Sequence, residues 1–359
     1  MINHKTYIPI LKWKQGEYQA LNALSDQVKK QIIPLFEITP IGFDHEKQVA
    51  SKSLDEHISN IGIRLKKKWG QGLCLIDISN LNLQTELNGL TYINKIFKLY
   101  RDEGCTVVPV VEIDYPESFL EEIKLVIQTD KNGLCLRLKS KYLINSLNEQ
   151  IENFLKTMCV SRAEIDLIVD FEDLPNVGQS EQFLEFSIDS LKKIGSINLW
   201  RSFAVAGSSF PKTADKTGAK RLEWLFYKKC YNEFINSYRL PAFSDYGINT
   251  PEHLNFDMRV VKPYAKMKYT QDYNWYISKG TAVRGPKSRG FGQFKDLCKE
   301  LIEKDFYRGE QFSAGDEYIK KCAEGEVSTG NLSTWVCVST NQHLVKVVND
   351  LSNLYGFSI

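Results

Sequence analysis

The sequence predicts a (β/α)8 barrel, and three observations carry that prediction. Strand-like and helix-like stretches alternate over roughly 300 residues, the extent of such a barrel. The strand-like runs are continuous and apolar, as strands covered on both faces must be. Two of them, PLFEIT (34–39) and PVVEID (109–114), share a P-x-x-E-I pattern that suggests repeated modules. An open doubly wound sheet is the alternative, but no GxGxxG follows an early strand.

The modules run in order. YIPILKWK (7–14) precedes GEYQALNALSDQVKK, where Leu21, Leu24 and Val28 keep helical spacing. IIPLFEIT (32–39) precedes a helix-compatible stretch at 52–68. LCLIDIS (73–79) leads to LNGLTYINKIFKLYRDEG, which ends at a glycine cap, Gly104. VVPVVEID (107–114) is followed by PESFLEEIKLVIQ, with proline near the helix start. GLCLRLK (133–139) leads to a helix at 142–158, IDLIVDFE to one at 180–194, and NLWRSFAVAGSSF to one at 220–236. PAFSDYGI (241–248) is the eighth strand, and a long insertion delays its helix to 291–304.

Composition narrows the class. The chain has 359 residues, 43% of them hydrophobic, enough for one large α/β domain or two ordinary ones. We take the whole of 1–359 as a single barrel domain, with an insertion at 249–289 and a C-terminal segment, 305–359, packing on the barrel mouth. The formal charge is +2, so no global field marks a nucleic-acid or membrane binder, and any basic site is local. The N-terminus lacks the continuous apolar stretch of a signal peptide, and no run reaches the ~20 apolar residues of a membrane span. The eight cysteines form no CxxC pair, and Cys74 and Cys135 read as buried thiols. A reduced, cytoplasmic protein fits these features.

Charges near the ends of the apolar runs locate a site. In a barrel the strand C-termini converge on the face that builds active sites. Lys12, Glu37, Asp77, Glu112, Arg137, Asp170 and Asp245 would ring that mouth. Clustered carboxylates repel, so some are protonated, or Lys12 and Arg137 neutralise them, or a divalent cation does. Glu37, Asp77, Glu112, Asp170 and Asp245 are the candidate catalytic residues, with Mg²⁺ a possible cofactor at Glu37, Asp77 and Glu112. The alternative is a closed salt-bridge network that only sets strand register.

A second signal lies at 259–289. Eight basic residues (Arg259, Lys262, Lys266, Lys268, Lys279, Arg284, Lys287, Arg289) face one acid, Asp272, and are interleaved with Tyr264, Tyr269, Tyr273, Trp275 and Tyr276. Two arms, VVKPYAKMKYT and NWYISKGTAV, predict a hairpin turning near 271–273. Lys12, Arg137, Lys266, Lys268, Trp275, Lys279, Arg284, Lys287 and Arg289 are candidate anion-binding residues. Such a set suits a phosphate-bearing ligand or nucleic acid. An acidic protein partner and a solvated hairpin are the other readings. No Walker A, HExxH or GxSxG motif is present, and the histidines lack the spacing of zinc ligands.

The opening YIPILKWKQGEYQAL resembles the entry signature of the Beta protein family of phage satellites and prophages. The resemblance continues through PLFEI, KYTQDYNWYISKG, FSAGDEYIKKCAEG and TGNLSTWVCVSTNQHLVKVV, nearly the whole chain. It implies a role in antiphage defence of the Gop–Beta–CII type, in which Beta restrains a toxic protein encoded beside it. It also directs attention to Asp316, Trp335, Asn341 and His343 as ligand-site residues. At Lys279 the family pattern carries arginine. The expected partner is a toxic effector of the same locus, with Beta as antitoxin-like partner or sensor. A metal-assisted phosphodiesterase or nuclease, and a non-catalytic interaction scaffold, are the alternatives.

Overall fold

Eight short apolar runs pair in parallel, each with its sequence neighbour, and the last returns to the first. They are β1 (Tyr7–Lys12), β2 (Leu35–Glu37), β3 (Cys74–Asp77), β4 (Val107–Val111), β5 (Leu134–Lys139), β6 (Ile165–Asp173), β7 (Ser202–Ser208) and β8 (Ala242–Asp245). This computed structural model describes residues 2–83, 89, 91–143, 146–174, 180–211, 218–236, 238–253 and 261–359. Residues 254–260 of the predicted insertion, Arg259 among them, lie outside the described residues.

Successive strand residues face opposite sides, so each run supplies two layers. The barrel interior is packed by Ile8 and Ile10, Leu35, Leu75, Val108 and Val110, Cys135, Ile168, and the small Ala204, Ala206 and Ala242. The alternate residues face the helices and build the main core, with Tyr7, Phe36, Ile76, Leu136, Val169 and Phe243 among them. Those helices are α1 (Gln15–Asn22), α2 (Ile61–Lys68), α3 (Thr91–Asp102), α4 (Glu117–Asp130), α5 (Leu147–Met158), α6 (Ser180–Lys192) and α7 (Leu222–Phe234). After α3 the chain turns at Gly104, whose φ of +72° lies in the left-handed region glycine favours.

The insertion after β8 forms the predicted hairpin, β9 (Tyr264–Thr270) against β10 (Asn274–Ala282). The short strand Ala219–Lys220 extends it on the β10 edge. Helix α8 (Gln293–Ile302), expected to complete the eighth module, does not do so. It packs on the hairpin instead. With α9 (Ala314–Glu324) and the start of α10 (Leu332–Tyr355) it closes a second core around Met267, Tyr269, Phe294, Leu301 and Val338. Trp335 stacks on Phe294 there, at 4.3 Å and 6°.

The eighth wall position belongs to α10. Its later residues Leu344, Val347, Val348 and Leu351 join the main core. Near its end the Tyr355 hydroxyl lies 2.8 Å from that of Tyr227, which donates to the Pro241 carbonyl just before β8. The C-terminal helix thus runs down the barrel wall. Among the described residues no helix is long and apolar enough to cross a membrane.

The helices of the second core cross closely. A Cβ at Gly315 would lie 2.4 Å from the Val338 carbonyl oxygen on α10, a position no side chain can occupy without backbone movement. Gly315→Ala should therefore destabilise the protein by about 1–3 kcal/mol. Urea unfolding checks this: a midpoint equal to wild type would contradict the crossing.

Candidate functional site at the barrel mouth

The inward alternation that buries Ile10, Leu35, Leu75, Val110 and Ile168 continues at the strand ends into Lys12, Glu37, Asp77, Glu112 and Asp170. Register places Lys12 beside Glu37 and Glu37 beside Asp77. Arg137 points inward from β5, two residues below Lys139, which pairs with Asp170. The guanidinium meets all three acids. Nη1 donates to Glu37 Oε1 at 2.9 Å and to Asp77 Oδ2 at 2.8 Å, and Nε donates to Asp170 Oδ2 at 2.8 Å.

Tyr246 completes the cluster: its hydroxyl accepts from Arg137 Nη2 and donates to Asp170 Oδ2, both at 2.6 Å. All of these groups are buried. Burial by itself would push the Glu37 carboxyl up, but Arg137 and His253 outweigh it and hold Glu37 at about 2. His253 Nε2 lies 2.8 Å from Glu37 Oε2 and is approached by Asn80. The remaining oxygens of Asp77 and Asp170 accept backbone N–H groups from Ser79 and Glu172.

Glu112 stands apart from this cluster. Lys139 Nζ is 2.6 Å from its carboxylate, Lys141 Nζ is 3.6 Å away, and the Tyr142 hydroxyl donates to it at 3.2 Å. The expected Mg²⁺ set of Glu37, Asp77 and Glu112 is therefore not brought together, because a guanidinium lies between the first two and two ammonium groups hold the third. Among the described residues no group of three or more histidine, cysteine or acidic side chains is arranged to hold a metal.

Asp245 does not belong to the ring. Like Phe243, it faces outward, toward the helix layer, and Tyr246 takes the inward place. Its carboxylate accepts from the Tyr7 hydroxyl at 2.5 Å and from the Gly247 N–H at 2.9 Å, and lies 3.0 Å from His343 Nε2. Burial raises its pKa, but His343, Tyr7 and Gly247 together bring it below the ordinary aspartate range. The other His343 nitrogen, Nδ1, is 2.9 Å from Thr270 Oγ1 at the hairpin turn. Gln342 pairs with both backbone groups of Thr270 at 3.0 Å. This Asp–His–Thr line is fully buried and links barrel, α10 and hairpin.

The hairpin splits its residues between two faces. Ala265, Met267 and Tyr269 enter the second core. Lys266 and Lys268 occupy the other face, with Lys279 directly opposite Lys266. Lys268 lies 4.5 Å from the ring centre of Phe210 and donates to the Ile248 carbonyl at 3.0 Å. Burial and neighbouring Lys266 push it down to about 8. Lys279 sits over Tyr264 at 4.9 Å. Lys12 Nζ reaches the Thr250 and Glu252 carbonyls at 3.0 and 2.5 Å. Trp275 is a packing residue, buried between Phe210 and the stacked ring of His343.

The other expected ligand residues lie elsewhere. Arg284, Lys287 and Arg289 are exposed beyond β10, and Arg289 pairs with Asp296. Asp316 accepts from Ser313 at 2.5 Å and from Tyr269 at 2.8 Å, and burial lifts it to about 6. Trp335 donates to the Thr329 carbonyl. Asn341 clamps three helices, accepting from the Gly315 N–H and donating to the Ala20 carbonyl. The sequence reading missed Tyr246, His253 and Tyr142. It also missed Glu17, whose carboxylate accepts from the Lys12 N–H at 2.5 Å and from Asn249 at 3.1 Å. Burial pushes Glu17 up to about 7. Two-residue spacing from Ser244 marks Tyr246 as inward, but nothing local marks the others.

A model of the Beta protein family matches residues 7–349. This chain belongs to that family. Protein beta of Enterobacteria phage P4 is 24% identical to it over 361 residues, covering 98% of this chain and 96% of the phage protein. The Beta family chain is also similar in structure to a mutant tryptophan synthase α-subunit from Pyrococcus furiosus. That match has 11% identity and a TM-score of 0.37, covering 68% of this chain and 87% of that one. Another tryptophan synthase subunit from the same hyperthermophile gives 15% identity and a TM-score of 0.31, covering 64% of this chain and 97% of that one.

Arg137 is the one guanidinium that the three buried carboxylates share. Arg137→Met should cost about 3–5 kcal/mol, the penalty of leaving buried charge uncompensated. Arg137→Lys keeps the charge but loses the fork, and should fall between the variant and wild type. Urea unfolding of the three proteins orders them. Stability should also depend on pH in two directions. Glu17 and Glu223 near 7, and Asp316 near 6, are raised by burial above their ordinary values of 4.5, 4.5 and 3.8. Their contribution is complete below those ordinary values and is lost as pH rises through 6–7. Glu37, depressed to about 2, contributes above 4.5 and loses that contribution as pH falls toward 2. The melting temperature should therefore peak near about pH 5. Glu17→Gln should flatten the alkaline limb; an unchanged limb would count against a buried, high-pKa Glu17.

Proposed function

We propose that this Beta family protein acts in phage defence as the control partner of a toxic effector from the same locus, with a ligand site at the barrel mouth that receives the infection signal. The observation that carries this reading is the Arg137 cluster. Three rim carboxylates direct oxygens at one buried guanidinium, and their other oxygens meet His253 or backbone donors. A general acid or base needs a carboxyl facing the substrate. These carboxyls instead stiffen the mouth, which suits a receptor that must hold one shape while the surrounding elements meet a ligand or partner. Family membership supports the phage setting.

Induction of the neighbouring toxic protein, with and without this chain, tests the reading. Wild type should restore growth and co-purify with the toxic protein, and Glu112→Gln should do so equally well. Absence of both rescue and co-purification would overturn it. Mg²⁺-dependent turnover of nucleotides by the purified protein, abolished in Glu112→Gln and Asp77→Asn variants of wild-type stability, would instead establish a hydrolase.

A further inference from the structure

Two thiols meet in the core that carries the hairpin. Cys298 on α8 and Cys322 on α9 are both buried there, and their side chains are hydrogen-bonded to each other. Helix geometry accounts for the meeting. The Lys295 ammonium and its last methylene lie where a Cβ on Gly325 would stand. That contact sits one turn before Cys298 on α8 and one turn after Cys322 on α9, so the two helices run antiparallel here. One turn further along the same register, Leu301 and Ile319 also share this core. We propose that Cys298 and Cys322 are a reversible redox pair, oxidised by hydrogen peroxide to a disulfide that joins α8 to α9.

The remaining cysteines are placed differently. Cys74, Cys105 and Cys159 direct their thiols at the backbone carbonyls of Thr106, Gly62 and Lys156. Cys135 faces the barrel interior, and Cys230 lies in the main core. Cys298 and Cys322 instead direct their thiols at each other. Thiols already in contact need only a small side-chain movement to reach the ~2.05 Å of a disulfide bond. Because the partners stand on two helices, the bond would fasten α8 to α9 instead of bridging turns of one helix.

The pair is asymmetric, which assigns the roles. Cys298 donates in the shared hydrogen bond, so its thiol is pushed up, and burial acts in the same direction. Accepting that bond, with Lys295 close by, brings Cys322 below the ordinary thiol range against the effect of burial. Cys322 is therefore the attacking group. Lys295 is itself partly exposed, so Cys322 lies one side chain beneath the surface. The Cys322 thiolate attacks one peroxide oxygen and the O–O bond breaks. The hydroxide that leaves takes up the proton Cys322 gave up and becomes water. Cys298 then attacks the sulfenic sulfur, and the departing hydroxide takes the Cys298 proton to form a second water. Two thiols are oxidised and one peroxide is reduced.

Peptide mapping of the full-length protein under non-reducing conditions, after exposure of the reduced protein to hydrogen peroxide, tests the pair. Wild type should yield Cys298 and Cys322 in one linked species, lighter by two hydrogens, and dithiothreitol should restore both thiols. The oxidised protein should unfold at a higher urea concentration than the reduced one, because the bond constrains the unfolded chain. Cys159→Ser, which removes an exposed thiol, should link as wild type does. In Cys298→Ser the reaction should stop at a sulfenic acid on Cys322, which dimedone traps. If a serine variant fails to fold, the wild-type map decides.

Failure of the folded wild type to link, linkage formed only in urea, or capture of either thiol by another cysteine would overturn the proposal. So would a lower urea midpoint after oxidation, which would mean that the bond forms at the expense of the fold. Dimedone trapped on Cys298 in a folded Cys322→Ser protein would overturn the order of attack. Peptide mapping decides this pair whatever the rescue experiment shows about the toxic protein.

Discussion

One buried guanidinium organises the mouth of this barrel. Arg137 rises from β5 and draws the ends of β2, β3 and β6 toward itself through Glu37, Asp77 and Asp170, with Tyr246 after β8 closing the circle. Its planar fork suits this task because several carboxylates can approach in one plane, whereas an ammonium is a point charge. Below it the interior is apolar, so a one-residue slip of any of these strands would bury an acid among aliphatic side chains. The cluster is thus a register device as well as an electrostatic one. It also anchors what lies above, since His253 after β8 reaches down to Glu37.

A second buried network joins the parts that the barrel itself does not hold. Asp245 looks outward to Tyr7 and His343, and His343 looks on to Thr270 in the hairpin. Lys346, almost wholly buried on α10, lies 2.9 Å from Asp272 in the hairpin turn and also pairs with Asp350. Buried polar groups of this kind cost free energy unless satisfied, and here each finds a partner across an element boundary. The hairpin is therefore set on the barrel by directional contacts as well as by the Phe210, Ile248, Trp275 and Ile277 packing.

The fold was legible because its eight runs are apolar on both faces and separated by helical spacing. Orientation was harder. The string GLCL occurs at 72–75 and 133–136, yet Cys74 faces the helices and Cys135 the interior. Parity depends on which neighbour a strand pairs with and in what register, and identical local sequence does not encode that. The same one-residue difference moved Asp245 out of the ring and put Tyr246 in. The acidic run ends did mark the mouth, and Arg137 was visible beside them. That Glu37, Asp77 and Asp170 share one guanidinium is a matter of distances that no single run encodes. Asp316, Trp335, Asn341 and His343 stood out as a pattern, but their roles are long-range: each fastens one helix or strand to another far along the chain. His253, Tyr142 and Glu17 carry no local mark, because only the folded chain brings them to the charges they touch.

The wall panel between β8 and β1 is supplied by α10, with the hairpin, α8 and α9 intervening in the chain. Tyr7, Leu11 and Phe243 lie in the same buried core as the α10 residues Leu344, Val347, Val348 and Leu351. Closing it brings together segments separated by a long loop, a step slow in entropy terms compared with the local βα pairings before it. During synthesis, a chain released from the ribosome only as far as the hairpin carries eight strands and lacks the helix that completes this core.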